Sequence, residues 1–257
     1  MDLREHRSKL SSDRKATTTT DMETIYTFFN IGIVATLFGT RGEDSAGNVY
    51  YNTPWIYIIP ALILVLFVAY LMGSFNFATF ISKKKYNDDI REHGSGNAGM
   101  TNMMRTYGTK AAAFTLLGDF LKTVLAVFVG YLVFGKTGGY VAGLGAVIGH
   151  TWPLYYNFKG GKGVVTAITM ILCTKPILAL LLIIIFVAIV AATKYISLGS
   201  IMCSLLYPVL LHNFGTVGII ELICCFLVVV LLVYNHRENL KRLYAGKENK
   251  FSFKKSK

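Results

Sequence analysis

Residues 54–75 form an apolar run of 22 residues that contains no charged side chain. A helix of about 20 such residues crosses the roughly 30 Å hydrocarbon core of a bilayer. A mean hydropathy of +0.49 and only 16% charged residues exclude an ordinary soluble globule, which would have about 25% charged residues. The run therefore predicts a membrane-spanning helix.

Further apolar runs follow along the chain. They cover residues 111–134, 140–151, 164–192, 196–212 and 216–234. The run at 164–192 is too long for one crossing and contains Lys175-Pro176, where a helix loses a backbone donor, so we divide it into two helices. The patterns predict an all-α polytopic membrane protein with a seven-helix transmembrane core. Residues 24–38 are too short for an ordinary span, and both a short eighth span and an interfacial helix stay open.

The basic residues predict the orientation of these helices. With seven crossings, one side of the membrane receives the loop at 83–110, Lys159, Lys194 and the tail from His236, whereas the other side receives only Lys136 and Lys175. Cytoplasmic flanks are enriched in Lys and Arg, so the first side is cytoplasmic. We divide the chain into an N-terminal extension (1–53), a transmembrane core (54–236) and a basic cytoplasmic tail (237–257). The enrichment of basic residues on the cytoplasmic side of the membrane then accounts for the net charge of +12, and no nucleic-acid partner is expected.

The composition of the cytoplasmic loop at 93–105, HGSGNAGMTNMMR, favours an anion site over the alternative of a flexible Gly/Ser linker, because linkers rarely contain two Asn, a Thr and an Arg so placed. Glycines allow backbone N–H groups to approach an oxyanion, hydroxyls add short donors, and an arginine adds a charged fork. If a helix begins near Thr101, then Thr101 and Arg105 share one face. Gly94, Gly96 and Gly99 match a dinucleotide fingerprint only formally, because no strand precedes them.

A second glycine loop ends the segment GHTWPLYYNFKGGKG at 149–163. Two lysines and three glycines favour phosphate binding, but Gly163 follows Lys162 where a nucleotide P-loop requires Ser or Thr. The segment NHRENLKR at 235–242 places His236 and Asn239 on one helical face, although on its own it is typical of a basic stop-transfer tail. Ser197 begins a cytoplasmic helix and could cap it or donate to a phosphate.

Two further patterns concern stability and metals. Asp119 and Lys122 lie three residues apart inside a span, which favours a structural ion pair. The four cysteines lie in apolar runs without zinc or disulfide-framework spacing, so we expect no structural metal, no disulfide and no metal cofactor.

Together, the segments GSGNAGMTNMMR, GHTWPLYYNFKGGKG, KYISLGS and NHRENLKRL, with the DFLK element at 119–122, resemble the PlsY family of bacterial membrane acyltransferases. The resemblance covers about residues 54–250. Met100 stands where the family usually has Ala, and Thr123 where it usually has Gly; neither removes a polar group. Residues 1–53 lie outside the pattern.

The resemblance implies transfer of a fatty acyl group from acyl phosphate to the 1-hydroxyl of sn-glycerol 3-phosphate, at the cytoplasmic face of the bacterial cell membrane. It implies that the protein works in the lipid bilayer, without a cofactor and without an obligate protein partner. The implied catalytic residues are Ser95, Thr101, Arg105, Lys162, Ser197, His236 and Asn239. The residues expected to bind substrate are Gly94, Gly96, Asn97, Asn102, Lys159, Gly160, Gly161 and Gly163.

Other functions remain open at this point. A transporter of an organic phosphate would also use anion loops and intramembrane charges, although transporters place their sites near the midplane between repeats. A structural anchor with a basic tail would leave the glycine loops unexplained. No histidine is followed five positions later by Asp, so the His-x-x-x-x-Asp base of other acyltransferases is absent.

Overall fold

The structure is a computed structural model, and it describes residues 31–43, 45, 49–213 and 217–251. In chain order the strands and helices are β1 (Thr40–Glu43), β2 (Val49–Asn52), α1 (Trp55–Gly73), α2 (Phe77–Tyr86), α3 (Met100–Tyr107), α4 (Thr109–Thr151), α5 (Val164–Thr174), α6 (Pro176–Thr193), α7 (Ile196–Leu211), α8 (Ile219–Asn235) and α9 (Arg237–Tyr244). Residues 31–38 are also helical, and short 3₁₀ turns occur at Ile90–Glu92 and Leu154–Tyr156.

Helix α4 is a bent hairpin and not one straight rod. Phe134 (φ −143°, ψ 42°) and Gly135 (φ 52°, ψ −144°) leave the helical region, and glycine tolerates this positive φ. The second half, 136–151, runs back along the first half, 109–133. The two halves are in close contact near the bend, where a Cβ added to Gly130 would overlap the Gly138 carbonyl oxygen. The expected return at this link is confirmed, although helix resumes at residue 136 and not at 140.

Among the described residues, three helical stretches are long and apolar enough to cross a membrane: Trp55–Tyr86, Thr109–Tyr156 and Pro176–Thr193. A fourth is added if Ile219–Asn235 and Arg237–Tyr244, bent by 53°, count as one span. Helices α5 and α7 are apolar but shorter. The chain therefore contains several apolar helices, and the predicted break before Pro176 is confirmed by the non-helical Lys175 (φ −143°, ψ 74°). The count of seven crossings stays a prediction.

Small residues bring α1 and the second half of α4 into backbone contact. A Cβ on Gly73 would overlap Ala146, and one on Gly149 would overlap the Tyr70 carbonyl. Close approach through glycine and alanine is how helices pack when lipid removes the hydrophobic drive between them. This contact fixes the C-terminal end of α4 beside the junction of α1 and α2, where two polar loops begin.

The segment before α1 contains an element that the sequence analysis did not predict. Strands β1 and β2 pair antiparallel, with Thr40 opposite Asn52, so the all-α prediction is wrong for these residues. The run Val49-Tyr50-Tyr51 is rich in strand-forming side chains, but it is too short to stand out beside the apolar helices. Residues 31–38 of the expected 24–38 segment are helical, whereas residues 24–30 lie outside the described residues.

Candidate active site

The first glycine loop is held against the N-terminus of α3 by one buried amide. Asn102 is 1% exposed, and its Nδ2 donates to the carbonyls of His93 (2.8 Å) and Ile90 (3.2 Å). Its Oδ1 accepts from the backbone N–H of Ser95 at 3.0 Å. Asn102, expected to bind substrate, therefore uses both ends of its amide to shape the loop.

Positive φ angles at two glycines complete this turn. Gly94 has φ +59° and Gly96 has φ +69°, which L side chains rarely adopt, and a Cβ on Gly94 would overlap Asn102 Oδ1. Ser95, between them, is exposed, and Asn97 is half-buried. The loop thus presents the Ser95 hydroxyl outward while its backbone stays fixed.

Helix α3 begins at Met100, as expected, and places Thr101 and Arg105 one turn apart. Both are half-buried. Burial lowers the pKa of Arg105, with the Glu248 carboxylate opposing that effect and Arg242 adding to it. Arg105 therefore points into a group of charges that come from the tail of the chain.

The second glycine loop is joined to the first by a backbone hydrogen bond. Ala98 N donates to Gly160 O at 3.4 Å, while Gly160 N and Gly161 N donate to the carbonyls of Thr151 (3.1 Å) and His150 (3.0 Å). A Cβ on Gly161 would overlap the His150 ring, so this position needs glycine. The two loops thus form one layer at the end of the helices.

The lysines of the second loop differ in their surroundings. Lys159 is exposed, whereas Lys162 is half-buried and its Nζ donates a short hydrogen bond to Asn239 Oδ1. Burial first, then the charges of Arg242 and Arg105, lower the pKa of Lys162 to about 8. Gly163, with φ +85°, turns the chain into α5. Lys162 is the ammonium that the loop directs into the site.

A carboxylate that the sequence analysis missed organises the other side. Glu248 Oε1 accepts from Ser197 Oγ (3.0 Å) and Asn239 Nδ2 (2.8 Å), and Oε2 accepts from Arg242 Nε (2.8 Å). Burial alone would raise the pKa of Glu248, but these hydrogen bonds outweigh burial and lower it. The sequence signal was weak: Glu248 is the sole acid after Glu238 in a basic tail.

These contacts show which hydrogen-bond partners Ser197 and Asn239 have in this structure. Ser197 donates its single hydroxyl proton to Glu248 Oε1, the same oxygen that accepts from Asn239. Ser197 must break this hydrogen bond before it can donate to a phosphate. Asn239 keeps one amide N–H beyond the bond to Glu248, and its oxygen holds Lys162.

His236 lies just beyond α8 and is 3% exposed. Its Nδ1 lies 2.7 Å from the Leu232 carbonyl, which can only accept, so the proton is on Nδ1 and the neutral ring offers Nε2 as an acceptor. Burial lowers the pKa of His236 to about 4, and the charge of Lys162 adds to this. His236 can therefore donate to a phosphate only after it takes up a second proton.

The structure brings together Arg105, Lys162, Ser197, His236 and Asn239 around Glu248, with Arg242 added. Among the described residues, three cations (Arg105, Lys162 and Arg242) face one carboxylate (Glu248), which leaves two positive charges in excess. Ser95 and Thr101 reach this group through the joined loops and α3, and no direct bond to it is seen in the described residues. An excess of positive charge at the end of the helices, beside two glycine loops, is an arrangement that could hold an anion.

Comparison with known proteins identifies the family. The family model for glycerol-3-phosphate acyltransferase matches residues 63–246. The chain belongs to the glycerol-3-phosphate acyltransferase family. The glycerol-3-phosphate acyltransferase of Alkaliphilus metalliredigens is 43% identical over 195 residues, which are 76% of this chain and 98% of the relative. That of Clostridioides difficile is 39% identical over 202 residues, covering 75% of this chain and 97% of the relative.

The fold is also similar to solved structures of a glycerol-3-phosphate acyltransferase, PlsY. The glycerol 3-phosphate form of PlsY, an integral membrane enzyme of this family, has a TM-score of 0.70 and 34% identity, covering 75% of this chain and 96% of PlsY. Its lysophosphatidic acid form has a TM-score of 0.67 and 34% identity, covering 76% of this chain and 96% of PlsY. The chain is thus a multi-pass membrane protein of an acyltransferase family of phospholipid synthesis, as its resemblance indicated.

Proposed function

We propose that the protein transfers a fatty acyl group from acyl phosphate to the 1-hydroxyl of sn-glycerol 3-phosphate. The products are 1-acylglycerol 3-phosphate and inorganic phosphate. The observation that supports this most strongly is the joining of two glycine loops beside three cations and one carboxylate, in a chain of the glycerol-3-phosphate acyltransferase family. Both substrates carry a phosphate, and a site for the reaction must hold two phosphates side by side.

We assign the two phosphates to the two loops. The loop at 94–99 with Thr101 and Arg105 has short hydroxyl donors and a guanidinium, which suit the compact phosphate of the donor. The loop at 160–163 has the Lys162 ammonium and closely approached backbone, which suit the phosphate of glycerol 3-phosphate. The backbone hydrogen bond from Ala98 to Gly160 keeps the two subsites adjacent.

The proposed reaction is a single displacement. The 1-hydroxyl oxygen bonds to the acyl carbonyl carbon, the bond from that carbon to the phosphate oxygen breaks, and a substrate phosphate takes the hydroxyl proton. Arg105 and the loop donors stabilise the departing phosphate, and Lys162 orients the acceptor. Acyl phosphate is already activated, so the step requires neither a side-chain nucleophile nor a metal.

We also propose that the site faces the cytoplasm of a bacterial cell, with seven crossings in the core. The bend at Phe134 and Gly135 supports this count, since it divides α4 into an outward and a returning helix. Lys136 then lies at the tip of one hairpin and Lys175 at the break before α6, far from the basic loops. The other basic residues after Pro54, apart from the buried Lys122, lie in the loops and the tail that we place on the cytoplasmic side.

The test is product formation by purified protein in detergent. Radiolabelled glycerol 3-phosphate is supplied with palmitoyl phosphate or with palmitoyl-CoA, and labelled 1-acylglycerol 3-phosphate is measured. We expect product with palmitoyl phosphate and less than about 1% of that rate with palmitoyl-CoA, because the donor subsite is built for a compact phosphate. Equal rates with both donors contradict the donor assignment, and absence of product with either contradicts the reaction.

A further inference from the structure

Three ionisable side chains lie buried beneath the two glycine loops. Asp119, Lys122 and His150 are 1%, 6% and 4% exposed. Lys122 Nζ lies 2.8 Å from Asp119 Oδ1 and 3.0 Å from His150 Nδ1, and His150 Nδ1 lies 3.4 Å from Asp119 Oδ1. We call these three residues the buried cluster. They belong to both halves of the α4 hairpin.

The buried cluster reaches beyond its own helix. Lys122 Nζ also donates to the carbonyl of Phe75, at the junction of α1 and α2, at 2.8 Å. Lys122 Nζ thus forms an ion pair with Asp119 and hydrogen bonds with the His150 ring and the Phe75 carbonyl, which come from three parts of the chain. An ion pair that served only to neutralise Asp119 would need neither the His150 nor the Phe75 contact.

His150 connects the buried cluster to the second glycine loop, at 160–163, which we call the acceptor loop because we assign it to glycerol 3-phosphate. Its ring packs against Gly161, so closely that a Cβ there would overlap Nε2, and its carbonyl accepts from Gly161 N at 3.0 Å. The neighbouring Gly160 O accepts a hydrogen bond from Ala98 N of the first glycine loop, at 94–99, which we call the donor loop because we assign it to the acyl donor. Ala98 O in turn accepts from the buried Asn76 Nδ2 at 3.1 Å. A continuous series of contacts therefore runs from Lys122 to both loops.

We propose that Asp119, Lys122 and His150 are positioning residues that fix the acceptor loop at 160–163 and its distance from the donor loop. This rests on the proposed function. The expected consequence is selective: loss of the buried cluster raises KM for glycerol 3-phosphate more than it changes KM for acyl phosphate. Lys122 is too deeply buried to act on substrate directly and works through His150.

Stability alone does not account for this arrangement. Apolar residues of similar volume can replace a buried ion pair without loss of stability, whereas removal of one partner destabilises strongly. The double variant Asp119→Leu/Lys122→Met therefore separates the two roles. It removes both charges together, so that the bundle keeps its packing while the links to Phe75 and His150 are lost.

The experiment measures thermal stability, both KM values and hydrogen exchange of the amides at 159–163. For Asp119→Leu/Lys122→Met we expect a Tm near that of wild type, an increase of about tenfold or more in KM for glycerol 3-phosphate, and faster exchange in that loop. Lys122→Arg keeps the charge and several donors, and it should retain KM within about threefold. Ser204→Ala, a buried hydroxyl bonded to Ile201 O in α7, is the control and should change neither KM nor exchange.

A second variant covers failure of the double variant to fold. His150→Gln leaves the Asp119 and Lys122 pair in place, and we expect the same direction of change in KM for glycerol 3-phosphate. Unchanged KM and exchange in a folded double variant, or in His150→Gln, would falsify the positioning role. If wild-type protein does not acylate glycerol 3-phosphate, the proposed function fails, and hydrogen exchange in the folded variants still decides the positioning role.

Discussion

Arg105 lies on α3 beside the charges of Glu248 and Arg242, and in the proposed reaction its guanidinium holds the phosphate of the acyl donor. We expect Arg105→Ala to lose several kcal/mol of transition-state stabilisation, which is more than about a thousandfold in kcat/KM. Lys110→Ala removes an exposed cation just beyond the same helix and serves as the matched control, with nearly normal turnover. A loss below tenfold in folded Arg105→Ala removes Arg105 from the site.

We expect Lys162 to make the proposed reaction sensitive to alkaline pH. Burial holds the pKa of Lys162 at about 8, below its usual value, so the free protein loses this positive charge as the pH rises through about 8. We therefore expect kcat/KM for glycerol 3-phosphate to decline above that pH. In Lys162→Arg the guanidinium stays charged, so the alkaline decline should disappear even if the absolute rate is lower. An unchanged alkaline limb in Lys162→Arg assigns that titration to another group.

Ser95 and His236 are not arranged as a nucleophile and its base. Ser95 is exposed on the first loop, whereas His236 is buried among the tail contacts, and no hydrogen bond joins them in the described residues. A serine nucleophile would form an acyl-enzyme and exchange labelled phosphate into acyl phosphate without acceptor. We expect no such exchange, and Ser95→Ala should keep a measurable fraction of activity. Acylation of Ser95 seen by mass spectrometry contradicts direct transfer.

At the scale of elements, the described part of the N-terminal extension, residues 31–43 and 49–53, packs at the α4 bend, far from the site. Residues 31–38 approach the α4 bend, since a Cβ on Gly32 would lie 2.5 Å from Gly135 N, and Phe38 stacks on Tyr57 at 4.4 Å. The first half of α4, 25 residues at about 1.5 Å each, separates that bend from α3 by roughly 37 Å. Deletion of residues 1–49 should therefore leave kcat/KM within about threefold while it lowers Tm.

Deletion of residues 1–30 is the matched control for this truncation, because it keeps the packed helix at 31–38 and the β1–β2 hairpin. We expect it to retain both activity and Tm. A folded 1–49 deletion without activity shows that the extension contributes to the site.

The sequence predicted the long elements well because their signals are local. The uncharged run before Phe75 and the proline after Lys175 each act on their own segment, and the structure places α1 and the α5–α6 break accordingly. The β1–β2 hairpin depends on pairing between two four-residue strands, which no single run reveals. Short elements of this kind are decided by contacts across the chain.

At the scale of the whole molecule, the types of residue in the site were predictable but their partners were not. Glycines with a neighbouring arginine or lysine already indicate an anion loop. That Asn102 holds backbone groups, or that Glu248 returns from the tail to bind Ser197, depends on contacts between distant segments. The division of the chain at residues 53 and 236 stays a prediction, and Glu248 shows that the tail nevertheless contributes to the charge group.

In the proposed reaction the acyl group passes directly from acyl phosphate to the 1-hydroxyl of glycerol 3-phosphate while the phosphates of both substrates are held in one site. This step is tested most directly by measuring phosphate release from palmitoyl phosphate by the purified protein, with and without glycerol 3-phosphate. We expect release to depend on the acceptor and to equal the 1-acylglycerol 3-phosphate formed, mole for mole, because both substrates must be bound together. Rapid phosphate release without acceptor, or release in excess of product, would contradict direct transfer.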